Sequence, residues 1–424
     1  MYRSRKHDFG TRISASILTL NLLLLCLSGC GSKAVLEEAP VQYEVTIKTR
    51  YKENVVKDFL VPELKPLIKV NRRGYLAEGA KLIFFDTDRE VNTFSVMNDA
   101  TGENMGFFDV KTDENGLLCG DLTTIRTPGT YHIYNKQTGV SESFSISDTL
   151  YKDMVPELYE YIKTMPCDYE AALILLLVYE WDKAYCTDEV GIRESGNNLP
   201  DILDVVKGML DGAAEPQTAY DSFMRAAALA QFSFFFAEYD AEGETKEYIA
   251  EAESLAKNNT AETDEEKAAL YSAWSILYRP TEKNSYKTQL RQYLQKSAIG
   301  METMPVEFYG DITYLNKRGE MAPTAEMNKL RLELEENAQR NLKTDNVLTI
   351  GKGWSSDEFV HNRLYMCVYS CISPSYEYQS YLLSGLDYYL GVNKEGYSFL
   401  DSEEAVDPKV PAILLFMICE LQEG

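Results

Sequence analysis

The stretch 401–421 (DSEEAVDPKVPAILLFMICEL) places two neighbouring carboxylates, Glu403 and Glu404, before an apolar segment of helix length. A carboxylic acid can protonate a leaving group and a carboxylate can activate water, so the pair could take part in acid–base chemistry. Acidic residues are also favoured in the first turn of a helix, where they face the positive end of its dipole. Two interpretations follow: a working acid, or the charged start of a closing helix.

A second candidate, Asp168, precedes the apolar segment 169–181 (YEAALILLLVYEW). An Asp in this position can accept a hydrogen bond from a free amide of the first helical turn, so the local pattern predicts an N-cap. The sequence contains few residues suited to other kinds of catalysis. The chain holds only three histidines, and its cysteines are scattered without a CxxC pair. These observations disfavour a zinc site and a Ser-His-Asp triad, and they imply no cofactor and no metal.

Composition excludes several classes of protein. The chain has 424 residues, 45% hydrophobic and 25% charged, which is ordinary for a globular protein with more than one domain. Its formal charge of −24 argues against nucleic acid as a partner, because nucleic acid needs clustered Lys and Arg to displace counterions. The same charge disfavours binding to anionic lipid through a basic patch.

The first residues predict a membrane attachment of another kind. MYRSRKHDFGTR is basic, and the apolar run that follows is short for a membrane span, as in a signal peptide. The run ends in LSGC, which resembles the bacterial lipobox. That resemblance implies cleavage after residue 29, lipidation of Cys30, and an extracytoplasmic protein anchored to the cell membrane by lipid. An ordinary signal peptide with a chance cysteine is the alternative.

The remaining chain must supply the elements that position these carboxylates. Residues 30–62 read as a tether with a possible first strand in VQYEVTIKTRY. Residues 63–149 contain short β-like runs separated by turn signals such as NDATG, DENG and TPG, which predicts a small β-sandwich. Residues 150–424 contain about eleven or twelve apolar-periodic segments without a fixed repeat. They predict an all-α toroid or solenoid of antiparallel helix pairs. The six cysteines that follow Cys30 are scattered along the chain and are predicted to be free thiols.

Four segments carry a resemblance to a known family. The β region opens with IKVNRRGYLAEGAKLIFF, in which Val70, Asn71, Gly74 and Tyr75 match the first strand of the Ig-like domain of many bacterial cellulases. The helical region contains IRESGNNLPDILD (192–204), GWSSDEFVHNRLYMCVYS (353–370) and LDYYLGVNKEGYSFL (386–400). Together, from residue 67 to the C-terminus, these segments resemble glycoside hydrolase family 9. The resemblance implies an N-terminal Ig-like sandwich followed by an (α/α)6-type helical toroid.

The resemblance also implies roles for single residues. Family 9 enzymes hydrolyse β-1,4-glucans with inversion, with one carboxylic acid and one carboxylate base. SEEAVD runs beside the family's N-E-V-A-I-D, which makes Glu403 the candidate general acid. The family's Gly-Trp-His-Asp loop, which carries the base, has no counterpart before 169–181. Either Asp168 is a remnant of that base, or the loop is deleted and Asp168 is only a helix cap.

A second departure concerns the sugar cleft. The family's His-His-Arg loop is missing where Leu400 meets Asp401, and no histidine follows His361. Among the many aromatic residues, Trp354 and Tyr365 are the candidates for contacts with sugar. The first hypothesis is therefore an anchored relative that binds a β-1,4-glucan or oligosaccharide with weak or lost hydrolysis. The second is an active inverting β-1,4-glucanase, and the third is an assembly protein. The glycan, the oligomeric state and any calcium requirement stay open.

Overall fold

The computed structural model describes residues 65–424 except 114–115, 297–304, 317–323, 345–355, 402–405 and 423–424. It also describes two short strands nearer the N-terminus. The chain divides into two compact units, 1–64 and 65–424. In the first unit, β1 (Thr46–Ile47) pairs antiparallel with β2 (Val55–Val56), and β1 lies within the stretch predicted as a strand.

The second unit begins with a sheet of nine short strands. The sheet order is β3-β5-β8-β7-β6-β9-β11-β4, with β10 paired to β9. All of these pairs are antiparallel except that of β11 with β4. The strands are β3 Ile68–Lys69, β4 Tyr75–Leu76, β5 Leu82–Phe85, β6 Thr93–Asn98, β7 Asn104–Thr112, β8 Leu118–Asp121, β9 Gly129–Asn135, β10 Gly139–Val140 and β11 Phe144–Ser147.

Alternating side chains of these strands form one apolar core. Phe94 and Val96 on β6 and Tyr131 and Ile133 on β9 are buried, while His132, between the two β9 residues, is half-buried. Gly120 on β8 leaves room for the aromatic rings, because a Cβ at this position would lie 2.5 Å from the ring of Phe94. The predicted β region is therefore a packed sheet, and its classification as an Ig-like sandwich stays a prediction.

Helices follow the sheet, and the described part of the chain contains twelve. They are α1 Leu150–Lys163, α2 Tyr169–Trp181, α3 Asp201–Asp211, α4 Ala219–Phe236, α5 Thr245–Asn258, α6 Asp264–Thr281, α7 Asn284–Lys296, α8 Glu307–Asn316, α9 Thr324–Thr344, α10 Ser356–Ile372, α11 Tyr376–Tyr389 and α12 Lys409–Gln422. The predicted helical region is confirmed.

The even-numbered helices form an inner ring. Helix α2 packs on α4, α4 on α6, α6 on α8, α10 on α12, and α12 on α2. The rings of Phe308 on α8 and Tyr365 on α10 lie 4.6 Å apart and join those two helices. Helices α2 and α12 are buried along almost their whole length, as expected for helices apolar on all sides. Because inner helices alternate with outer ones, their N-terminal ends lie at the same end of the ring.

The sheet contacts the helical ring through the segment VNRRG. Asn71 Nδ2 donates to Asp387 Oδ1 at 2.7 Å, and the amide of Arg72 donates to the carbonyl of Leu390 at 2.7 Å. Gly391 adopts a φ of +133°, and a Cβ there would lie 2.6 Å from a backbone oxygen of the sheet. The motifs 70–75 and 386–391 therefore meet in space and fix the sheet on the ring.

Two further observations concern sequence expectations. The six cysteines of the second unit are free thiols, three of them buried and three half-buried, as predicted. No helix among the described residues is both long enough and apolar enough to cross a membrane.

Candidate functional site

Three of the predicted site residues lie outside the described residues: Glu403, Trp354 and Cys30. The candidate site is therefore built from Asp168 and the groups around it. These groups lie at the N-terminal ends of α2, α4, α8, α10 and α12, which the ring brings to one end.

Asp168 caps helix α2. Its backbone is extended (φ −120°, ψ 124°), and its Oδ1 accepts a hydrogen bond of 2.8 Å from the amide of Ala171. Burial raises the pKa of Asp168, and the neighbouring carboxylate of Glu170 raises it further, while the bond from Ala171 and the charge of Lys409 act against both. The N-cap interpretation is confirmed, and this carboxyl group also holds a proton more readily than an exposed Asp.

Glu170, in the first turn of α2, has a pKa that is displaced in the opposite direction, below its ordinary value. Its Oε1 accepts a 2.8 Å hydrogen bond from the hydroxyl of Tyr220, and its Oε2 lies 3.5 Å from His361 Nε2. Burial alone would raise the pKa of Glu170, but His361, Lys409 and Tyr220 outweigh burial and lower it. At 3.5 Å the contact with His361 is longer than a normal hydrogen bond.

Lys409 supplies positive charge at the start of α12. Its Nζ lies 2.6 Å from Asp357 Oδ1 and 3.6 Å from Asp407 Oδ2. Burial works to lower the pKa of Lys409, yet the surrounding carboxylates of Asp357, Glu170, Asp407 and Asp168 together raise it. Lys409 therefore stays cationic and balances part of the negative charge at this end of the ring.

Two tyrosines extend the site into the ring. Tyr309 on α8 is 2% exposed, and its hydroxyl has no hydrogen-bond partner among the residues described. Burial raises the pKa of Tyr309, followed by the negative charge of Glu170. Tyr365 on α10 is 5% exposed and packs edge-on against Phe308. Its predicted role in contacting sugar stays a prediction.

A cavity of about 440 Å³ opens beside these groups. It is lined by the turn 166–169, the α3–α4 connection 212–217, and the side chains of Glu170, Tyr220, Asp221 and Met224. Two neighbouring carboxyl groups whose pKa values are displaced in opposite directions are an arrangement that suits acid–base chemistry. The cavity presents both carboxyl groups, those of Asp168 and Glu170, to a ligand.

Two other groups of side chains have ligand atoms within 4.8 Å of one another: Asp182, Cys371 and Glu420, and Asp188, Asp201 and Asp204. In the second group the carboxylates of Asp188 and Asp201 accept hydrogen bonds from backbone amides of the loop 190–198. In the first group the thiol of Cys371 donates to Glu420. Both groups are separate from the residues that line the cavity.

Sequence reasoning missed Glu170, Tyr220, His361, Tyr309 and Lys409 as site residues. One signal was available, because His361 is the sole histidine of the helical region. Glu170 gave no such signal, since an acid in a first turn is common for dipole reasons.

No protein-family model and no curated protein matches the chain. Solved structures do. A metagenome-derived glycoside hydrolase family 9 endoglucanase is 17% identical with a TM-score of 0.64, and the match covers 77% of this chain and 83% of that one. A family 9 protein of Bacteroides ovatus is 15% identical with a TM-score of 0.64, and the match covers 84% of this chain and 98% of that one.

An endoglucanase from Alicyclobacillus acidocaldarius matches at 15% identity with a TM-score of 0.62, covering 78% of this chain and 83% of that one. AaCel9A, solved with a cellobiose-like isofagomine, matches with the same identity, TM-score and coverage. At identities this low, the structural similarity establishes a shared fold and nothing further. The chain therefore has the helical fold of glycoside hydrolase family 9 endoglucanases.

Proposed function

We propose that this protein binds a β-1,4-linked glucan or oligosaccharide in the cavity beside Asp168 and Glu170, with weak or lost hydrolysis. The observation that carries the proposal is a cavity with carboxyl and phenol groups in its wall, at one end of a helical ring whose fold is shared with endoglucanases. A protein of the same fold holds a cellobiose-like ligand. Carboxylates and phenols at the cavity wall suit a neutral polyhydroxyl ligand, to which they can donate and from which they can accept hydrogen bonds.

The proposed loss of activity rests on the sequence departures and on Asp168. The family's base loop and its His-His-Arg loop have no counterpart in this sequence. Asp168, the candidate remnant, uses Oδ1 to cap α2, and burial raises its pKa. A base must be ionised to accept a proton, so both features weaken Asp168 in that role.

Binding and turnover are tested separately. Affinity electrophoresis in gels containing soluble β-1,4-glucan should retard the protein, while release of reducing ends should stay at the level of a heat-inactivated sample. A gel with an α-linked glucan serves as the control for nonspecific retention. Equal mobility in all gels would refute binding, and strong release of reducing ends would refute the loss of activity.

A working inverting hydrolase is the second candidate. It is favoured by the opposite directions in which the pKa values of Asp168 and Glu170 are displaced at the cavity. In this alternative Glu403 is the general acid, and Asp168 or Glu170 is the base. Turnover of cello-oligosaccharides by the wild type and by Glu403→Gln decides the matter, because equal residual rates in the two proteins would eliminate it.

We further propose that Cys30 carries a lipid anchor at the extracytoplasmic face of the cell membrane and that the sheet is an Ig-like domain. LSGC after an apolar run supports the first part, and the matches in 70–75 support the second. Mass spectrometry of the N-terminal peptide should show processing before Cys30 with added acyl mass. An unmodified peptide that includes residue 29 would refute the anchor.

A further inference from the structure

Three large apolar side chains lie exposed on the outer face of the sheet. Phe107 on β7 is 78% exposed, Tyr134 on β9 is 48% exposed, and Val140 on β10 is 57% exposed. Their sequence neighbours Phe108 and Ile133 pack into the sheet core, as the alternation of side chains along a strand requires. The three exposed side chains are therefore on the face opposite that core, and packing within the sheet does not account for them.

The strand register places these side chains in one row across the sheet. Ser95 on β6 pairs with Phe107 on one side and with Tyr134 on the other, and Tyr134 pairs with Val140. These four residues form the outer row. Two strand spacings, roughly 9.5 Å, separate Phe107 from Tyr134. The small side chain of Ser95 lies between the two rings and is 4% exposed.

Two aromatic rings at this separation fit an extended β-1,4-glucan chain. The hydroxyl groups of each sugar in such a chain are equatorial, so the faces of the pyranose ring expose C–H groups that can stack on an aromatic ring. Successive sugars are turned over relative to one another, so the same face returns at every second sugar. Two strand spacings are close to the length of that two-sugar repeat. Phe107 and Tyr134 can therefore stack on alternate sugars, with the sugar between them above Ser95.

The charges of the chain favour a neutral ligand at this face. The outer row contains no acidic or basic residue, and the formal charge of −24 repels a second copy of the chain or an anionic polymer. Thr93 and Asp109 pair with each other beside the row and are exposed. They offer hydrogen bonds to hydroxyl groups at the edge of a sugar. An uncharged polyhydroxyl chain therefore complements this face better than a charged partner.

We propose that the outer row is a second glucan-binding surface, which holds an extended β-1,4-glucan chain by stacking on Phe107 and Tyr134. This inference rests on the proposed function for the class of ligand, and on the sheet alone for the site. No residue of the outer row lines the cavity beside Asp168 and Glu170, so the two sites can be tested separately.

Adsorption to insoluble cellulose measures the outer row. Titration calorimetry with cellobiose, which is too short to reach both rings, measures the cavity. The double variant Phe107→Thr with Tyr134→Thr keeps β-branched side chains that favour a strand. It should raise the Kd for cellulose roughly 10- to 100-fold and leave the affinity for cellobiose unchanged.

Single substitutions at position 107 separate stacking from general apolar contact. Phe107→Tyr keeps the ring and should adsorb as the wild type does. Phe107→Ile keeps an apolar side chain suited to a strand but removes the ring, so it should raise the Kd for cellulose roughly 2- to 10-fold. Tyr376→Ala is the matched control, because Tyr376 on α11 is also 78% exposed, and it should adsorb as the wild type does.

Unchanged adsorption by the double variant would overturn the outer row as a glucan surface and leave the cavity proposal intact. Equal adsorption by Phe107→Ile and the wild type would overturn stacking as its mechanism. A wild-type dimer in sedimentation velocity that dissociates in the double variant would overturn the glucan as occupant and assign the row to a second copy of the chain. A wild type that binds neither cellulose nor cellobiose would overturn both proposals.

Discussion

Asp387 is a buried carboxyl group at the contact between the sheet and the helical ring, and replacing it with Asn should change how stability depends on pH. Burial raises its pKa to about 7, although the 2.7 Å hydrogen bond from Asn71 Nδ2 acts to lower it. Asn at position 387 can still accept that hydrogen bond through its amide oxygen, and it cannot ionise. The substitution therefore removes the charge and preserves the contact.

The size of the effect follows from the two pKa values. An unfolded Asp titrates near 3.9, and each pKa unit of difference corresponds to 1.36 kcal/mol. A folded pKa of about 7 therefore implies about 4 kcal/mol between the two ends of the titration. Between these values the folded chain binds more protons than the unfolded one. The free energy of unfolding contributed by Asp387 is highest below about pH 4, falls as the pH rises toward 7, and is constant above it.

Urea denaturation followed by circular dichroism, at intervals from about pH 4.5 to about pH 8.5, measures this effect. Asp387→Asn should lack the part of the pH dependence that the wild type shows in this window, so the difference between the two proteins should grow with pH. Asp88→Asn, at an exposed loop position, is the matched control and should follow the wild type. Wild-type and Asp387→Asn curves that stay parallel across the window would refute an elevated pKa at this position.

Substitutions at four further positions test the helical fold. Asp168→Ala should lower the free energy of unfolding by about 1 kcal/mol through loss of the α2 cap, whereas Asp168→Asn should retain stability because Asn also caps well; equal losses would contradict the capping role. Gly310→Ala should lower it by about 1–3 kcal/mol, since its Cβ would lie 2.8 Å from a ring carbon of Tyr271. Gly208→Ala, with open space in a helix interior, should instead raise it by about 0.5–1 kcal/mol. Thr263→Ala should cost about 1 kcal/mol by removing a capping box, and an unchanged thermal midpoint would contradict this.

The helical region was predictable because its local signals are strong. The final helix, Lys409–Gln422, coincides with the apolar segment of helix length predicted after Glu403 and Glu404, since Pro411 and a continuous apolar run mark it clearly. Helix α7 begins at Asn284, where the polar residues give no apolar period that would mark its start. Local patterns thus locate helices well and their ends less well.

The candidate site was harder to predict because ring closure assembles it. Glu170 contacts Tyr220, 50 residues further along, through one hydrogen bond. It also contacts His361, which belongs to a helix on another side of the ring. No local pattern joins these three residues, since each lies in a different inner helix and faces its neighbours only after all the inner helices have packed. The resemblance drew attention instead to Glu403 and Trp354, which lie outside the described residues.

The helix-cap and active-group interpretations of Asp168 are compatible in this fold. The inner helices present their N-terminal ends at one end of the ring. Acidic residues are favoured in a first turn by the helix dipole, so the acidic residues of different inner helices come close to one another at this end. Asp168 shows both consequences, because it caps α2 through Oδ1 and lines the cavity. Helix α12 begins at the same end, and the segment that carries Glu403 leads into it. The capping role therefore weakens Asp168 as a base but does not prevent it from contacting a ligand in the cavity. The two are separated only by a substitution that preserves the cap and removes the charge.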